Sequence, residues 1–224
     1  MRVDDVAVLC SGGLDSAVLV AHEATSARVH PIYVSAGLSW EREELALLGR
    51  LLASPPYATN VEPLTRLSVA LSDLYPATHW SLNGTPPAYD TPDEDVYLPG
   101  RNVLLLSKAS VLCAARGVHR IAVGPLAGNP FPDATPQFFT AMERALTLGL
   151  GHEVRIEAPF ARLHKEDVIR LGARLGVPFH LTLSCMNPTG GRHCGLCSKC
   201  RERRDGFAGA GIDDPTDYIA AWPR

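Results

Sequence analysis

Val6-Ala7-Val8-Leu9-Cys10-Ser11-Gly12-Gly13-Leu14-Asp15-Ser16 reads as an apolar strand that empties into a glycine pair and then into the start of a helix. Adjacent glycines let the backbone reach positive φ and approach a ligand with no Cβ in the way. Ser11, Ser16 and the free N–H groups of the following helix then offer donors to an anion. The spacing excludes a Walker A loop, which needs Lys and then Ser or Thr after its second glycine. It also excludes a dinucleotide fingerprint, which needs a third, spaced glycine.

Outward from this stretch, apolar runs of strand length alternate with amphipathic segments of helix length, the pattern of a parallel sheet covered by helices. Strands are predicted at Val6 to Cys10, Val29 to Val34, about Ala58 to Val61, Ile121 to Val123 and Val154 to Glu157. Helices are predicted from Ser16 to about Ala24 and from Trp40 to Leu52, the latter with Leu45, Leu48 and Leu52 at helical spacing beside an exposed set, Glu41, Arg42, Glu43 and Glu44. A buried helix is expected from Asn102 to Arg116, closed by Gly117. Two more run from Pro136 to Leu148 and from Lys165 to Leu175, the last ended by Gly176 and Pro178. The proline-rich stretch from Pro76 to Gly100 carries Asp90, Asp93, Glu94 and Asp95 and no strong element, which makes it a candidate lid.

The chain has 224 residues, enough for one α/β domain with a small appendage. A net charge of -3 calls for neither nucleic acid nor an acidic membrane surface, so a small-molecule substrate fits better. No long apolar run and no signal-like start are found, so a cytoplasmic protein is expected.

Of six cysteines, four fall at Cys185, Cys194, Cys197 and Cys200, a C-x8-C-x2-C-x2-C spacing. Four thiolates satisfy a tetrahedral zinc ion, and two-residue gaps let paired sulfurs converge on it. Ferredoxin spacings and a thioredoxin-like context are both missing, which favours structural zinc over an iron–sulfur cluster or a redox pair. His193 abuts the cluster and is expected in solvent or near substrate; Cys10 and Cys113 are expected as buried, inert thiols.

The hexapeptide Ser11 to Ser16, S-G-G-L-D-S, resembles the PP-loop of the ATP pyrophosphatases, which cleave ATP between its α and β phosphates. With the cysteine cluster, the chain resembles the 7-cyano-7-deazaguanine synthase (QueC) family. Between the motifs, Tyr97-Leu98-Pro99-Gly100-Arg101-Asn102, Phe131-Pro132-Asp133, Pro159 with Lys165, Gly172 to Pro178, and Thr182 with Ser184 and Cys185 follow that family's pattern. Three segments depart from it. Ser35-Ala36-Gly37-Leu38-Ser39-Trp40 replaces a Y-G-Q-x-H run, Ala127 to Phe138 lacks a family cysteine, arginine and glutamate, and Leu183 and Met186 replace an aromatic pair.

The resemblance implies an open parallel sheet with helices on both faces, of the PP-loop, HUP-like type. Residues 1–180 would form the ATP-binding domain, and 181–224 a zinc-binding loop with a C-terminal helix packed on it. It implies that ATP, with Mg²⁺, activates 7-carboxy-7-deazaguanine toward ammonia, giving an amide and then the nitrile. Cys10, Ser11, Gly12, Gly13, Leu14, Asp15 and Ser16 would hold ATP, with Asp15 near Mg²⁺ or capping the helix. Asp15, Arg101 and Lys165 would act in catalysis, Asp133 and Thr182 on the substrate base, and Cys185, Cys194, Cys197 and Cys200 on Zn²⁺. A homodimer is implied, with Tyr218-Ile219-Ala220-Ala221-Trp222 as a contact. Because the departures bear on the acceptor, two alternatives stay open: a paralogue that adenylates another carboxylate, an amide or a tRNA base, and a non-catalytic ATP-binding partner.

Overall fold

Five parallel strands in the order β3-β2-β1-β4-β5 form the centre of the computed structural model, which describes residues 4–220. They are β1 (Asp4–Leu9), β2 (Ala27–Ser35), β3 (Thr65–Ser68), β4 (Arg120–Ala122) and β5 (Arg155–Glu157). Helices α1 (Leu14–Glu23), α2 (Glu41–Leu52), α3 (Trp80–Asn83), α4 (Arg101–Arg116), α5 (Pro136–Leu150), α6 (Lys165–Arg174) and α7 (Ser198–Ala210) connect and follow them. Side chains alternate across the sheet. Val6 and Val8 enter a core with α1, Leu48 and Leu51 of α2, α6, and Phe207 of α7. Ala7 and Ile32 enter a second core with α4 and α5. The expected sheet covered on both faces is thus observed.

The strand order reverses between β1 and β4, so the loops leaving these two strands diverge and open a crevice at their carboxyl ends. Ser11 and Gly124 both face that crevice. The fold itself, therefore, delivers the glycine loop to a binding position.

Three expectations need correction. Ala58 to Val61 is not a strand: only Val61 makes an isolated bridge, to Val29, and the third strand is Thr65–Ser68. At the sheet edge β3 carries one apolar residue, Leu67, so hydrophobicity did not mark it. Helix α4 is buried only through Leu106, Ala109, Ser110 and Cys113, while Val103 and Val111 are exposed, because the sheet covers one side of it. On α2, Glu41 and Glu44 are buried rather than exposed. The buried stripe runs through 41, 44, 47, 48 and 51, so it includes two carboxylates that the leucine spacing left outside.

The stretch from 76 to 100 is ordered, with α3 and one turn of 3-10 helix at Asp93–Val96. Val96 and Leu98 join Trp40, Leu71, Leu183 and the cysteines in a third core. Ala88 bridges Cys197, and Arg201 donates to the Tyr89 carbonyl oxygen at 2.8 Å, which fastens this cover to the cysteine segment. No helix among the described residues is long and apolar enough to cross a membrane.

Helix α6 packs on α1 at Gly172, where an added Cβ would stand 2.6 Å from Val18 Cγ2 and 2.7 Å from Phe179 Cζ. Gly172→Val should therefore lower the unfolding free energy by about 2 kcal/mol or more through overpacking. Urea denaturation checks this, and an unchanged midpoint would mean that the two helices separate easily.

Candidate active site

The loop between β1 and α1 is tied by its own serines. Ser11 N–H donates to Ser16 Oγ at 3.2 Å, Ser16 Oγ donates to the Gly13 carbonyl oxygen at 3.0 Å, and Gly13 N–H donates to Ser11 Oγ at 3.2 Å. Gly12 has φ +79, and a Cβ there would lie 3.2 Å from Leu48 Cβ, so the position demands glycine. Gly13 is the N-cap of α1 and makes no side-chain cap, which leaves first-turn N–H groups of the helix for an anion.

Above the loop lies a cleft in two lobes of about 290 and 270 Å³, with Ser11, Gly13, Asp15, Glu44, Arg101 and Phe131 lining both. The first lobe runs over β1, β2 and β4 and includes Cys10, Ser16 and Asp133. The second runs toward the cysteine segment and includes Leu14, Lys165, Lys199, Glu202 and Arg203. Gly12 sits beneath, and its carbonyl oxygen accepts from Leu183 N–H at 2.9 Å.

Lys165, at the first turn of α6, places its ammonium 2.6 Å from Asp15 Oδ2 and 2.7 Å from Glu202 Oε1. Burial by itself would lower its pKa, but the two carboxylates outweigh burial and hold the group above the ordinary lysine range. Burial likewise works to raise Glu202, which Lys165 and Lys199 hold below the usual carboxylate range. Asp15 does not cap the helix; its Oδ1 and Arg101 Nε are buried without a hydrogen-bond partner. A buried acceptor and a buried donor left open in one cleft are the signature of a missing polar ligand.

The other predicted residues fare differently. Asp133 lines the first lobe, but its Oδ2 already accepts from Asn102 N–H at 3.1 Å, and burial raises its pKa. Thr182, expected against the substrate, is 1% exposed and lines neither lobe. Its hydroxyl donates to the Phe179 carbonyl oxygen and accepts from Arg203 Nη1 at 2.8 Å, so it props an arginine that lines the second lobe. Burial pushes the Cys10 thiol up to about 11, so it contributes shape rather than charge. Cys113 is buried as expected.

Sequence reasoning missed Glu202, Lys199, Arg203 and the pair Tyr33–Glu44. The signal for the first three was present as charged residues inside and just after the C-x2-C-x2-C run. Glu44 gave none, because only the folded chain brings Tyr33 Oη to donate to Glu44 Oε2 at 2.7 Å.

Cys185, Cys194, Cys197 and Cys200 converge, with all four Sγ atoms within 4.8 Å of one another. The Cys197–Cys200 and Cys194–Cys200 separations are 3.5 and 3.9 Å. Tetrahedral zinc with bonds of about 2.3 Å sets its sulfurs about 3.8 Å apart, so the donor set fits such an ion. Backbone N–H groups of Asn187 and Cys194 donate to Cys185 Sγ, and that of Leu196 to Cys194 Sγ, as thiolate ligands require. His193, expected in solvent or near substrate, is instead 3% exposed, its Nε2 accepting from Ser184 N–H at 3.1 Å. Tyr218 stacks on the Arg204 guanidinium and is thus engaged within the chain; Ala221 and Trp222 lie outside the described residues.

Burial raises Glu44 from 4.5 to about 7, with Tyr33 opposing. A carboxyl raised on folding contributes stability that is fully present below pH 4.5 and is lost as pH rises through about 7. The ligand-free protein should lose up to about 3 kcal/mol across that window, and Glu44→Gln should remove the loss. Urea unfolding of both proteins at about pH 5 and about pH 8 measures it. Equal pH dependence would overturn the assignment to Glu44.

The comparisons with known proteins cover the strand, the loop and the cysteine segment alike. A family model described as queuosine biosynthesis protein QueC matches residues 5–211. The chain is 39% identical over 223 residues to 7-cyano-7-deazaguanine synthase of Anaeromyxobacter dehalogenans (strain 2CP-C), covering 94% of each. It is 38% identical over 224 residues to that of Anaeromyxobacter sp. (strain Fw109-5), covering 95% of each. Among solved structures, a 4-thiouridine synthetase in an RNA complex with bound ATP is similar in fold. The TM-score is 0.50 at 14% identity, over 93% of this chain and 51% of that one. With the family match spanning both the S-G-G-L-D-S loop and the four clustered cysteines, the chain belongs to the QueC family of 7-cyano-7-deazaguanine synthases.

Proposed function

We propose that this chain is an ATP-dependent ligase that converts 7-carboxy-7-deazaguanine and ammonia to 7-cyano-7-deazaguanine, as the name shared by its relatives implies. The observation that carries the reading is the pairing of an open Asp15 Oδ1 with an open Arg101 Nε in the cleft above the glycine loop. A carboxylate is a poor electrophile and needs a leaving group before ammonia can displace it. Transfer of AMP from ATP to the carboxylate oxygen supplies one and releases pyrophosphate. Ammonia then displaces AMP to give the amide, and a second activation at the amide oxygen, followed by loss of two protons and AMP, gives the nitrile.

The protein's part in this is positioning and electrostatics. Ser11, Gly12, Gly13 and Ser16, with the N-terminus of α1, hold the departing phosphates, flanked by Cys10 and Leu14. Asp15 Oδ1 would hold Mg²⁺, which supplies charge neutralisation at the phosphates when bound. Arg101 faces the acceptor carboxylate, and Lys165 steadies Asp15. Asp133 fixes the start of α4 and presents its remaining oxygen to the base, with Thr182 supporting through Arg203. Cys185, Cys194, Cys197 and Cys200 would hold Zn²⁺, which would brace the 181–224 segment as a closing element on the ATP-binding part, residues 1–180. A cytoplasmic setting, which keeps such thiols reduced, and a homodimer complete the proposal.

Incubation with ATP, Mg²⁺, ammonium and 7-carboxy-7-deazaguanine, followed by mass spectrometry, should show the nitrile with AMP and pyrophosphate. Asp15→Asn should lower kcat by roughly a hundredfold or more. Turnover only with another carboxylate would point to a paralogue with a different acceptor, and ATP binding without turnover would point to a non-catalytic partner.

Metal analysis should find about one zinc per chain, consistent with one four-thiolate site. Cys197→Ser should reduce zinc retention and lower the Tm, whereas a visible iron–sulfur absorbance would exclude zinc.

A further inference from the structure

Lys199 lies between two of the clustered cysteines, Cys197 and Cys200, on the first turn of α7. Its side chain leaves the cysteine knuckle and lines the second lobe of the cleft together with Ser11, Gly13, Asp15 and Lys165. Its ammonium pairs with Glu202 Oε2, while Glu202 Oε1 holds Lys165. Asp15, Lys165, Glu202 and Lys199 thus form one chain of alternating charge from the glycine loop to the cysteine segment.

The charge balance of that chain bears on phosphate binding. Within the chain itself Lys199 is the second ammonium against two carboxylates, so it brings the chain to neutrality beside Arg101 and Arg203, which line the same lobe. A bound anion gains from a charge-assisted contact and loses from a like charge in a cleft of low dielectric. Lys165 is held between two carboxylates, Asp15 and Glu202, whereas Lys199 pairs with Glu202 and reaches the same lobe from the cysteine segment.

We propose that Lys199 is a second phosphate-binding lysine, delivered to the leaving pyrophosphate by the cysteine segment. The proposal rests on the ATP reading of the glycine loop. Under it, the cysteine segment does more than brace the fold, because it carries a further cation into the lobe shared with the glycine loop. Lys199 contacts the anion directly, and Glu202 holds it at the correct reach between turnovers.

Isothermal titration of pyrophosphate with Mg²⁺, and separately of AMP, into the full chain tests this, with the metal content of each protein measured first. Lys199→Ala should weaken pyrophosphate roughly tenfold or more while leaving AMP affinity and metal content unchanged. Lys199→Arg should restore most of the pyrophosphate affinity. Unchanged pyrophosphate binding in Lys199→Ala would overturn the proposal, as would pyrophosphate and AMP weakening together, which a structural role predicts. If the unaltered protein bound neither, the ATP reading itself would fail, and the proposal with it.

Discussion

Three helices meet at one half-buried cation. The Lys165 ammonium, on α6, is held by Asp15 from α1 and Glu202 from α7 at 2.6 and 2.7 Å. Each of these partly desolvated charges would be costly alone, and the others offset that cost. The cluster therefore acts as a condition on the fold: the glycine loop, the helix after β5 and the segment after the cysteines must all be in place together. Gly206 of α7 lets Lys165 pass, since a Cβ there would meet Lys165 Cγ at 2.4 Å.

Around that point the sheet does the coarse positioning. Reversal of strand order between β1 and β4 opens the crevice, and the two loops leaving these strands line it. The cover over 76–100 and the cysteine segment then form a third core of their own, with Trp40 and Trp80 stacked at 5.8 Å. The Trp40–Trp80 pair borders the second lobe, in the region where this chain departs from the family's usual residues. Residues of the other departing segments line both lobes, Asn129 and Phe131 the first and Leu183 and Met186 the second, whereas the S-G-G-L-D-S loop is intact.

The glycine loop and the cysteine run were legible in the sequence because their geometry is local. A backbone at φ +79 under a packed leucine selects glycine, and two-residue gaps bring sulfurs together whatever surrounds them. The strands at the centre of the sheet were legible too, as apolar runs between helical patterns. The edge strand Thr65–Ser68 was not, because half of its surface faces water and one leucine carries its burial.

By itself, then, the sequence determined the glycine loop, the cysteine set that converges, the alternation that makes a parallel sheet, and the family. Tertiary structure decided which charges are internal. Glu44 became a buried carboxyl only when Tyr33 met it, His193 became a buried acceptor only when the loop folded over it, and the Thr182 hydroxyl found Arg203 only across the folded chain. The physical reason is that the state of a polar side chain depends on partners far away in the chain. Lys165 and Asp15, 150 residues apart, were each marked by a motif, but no local pattern announced that they pair.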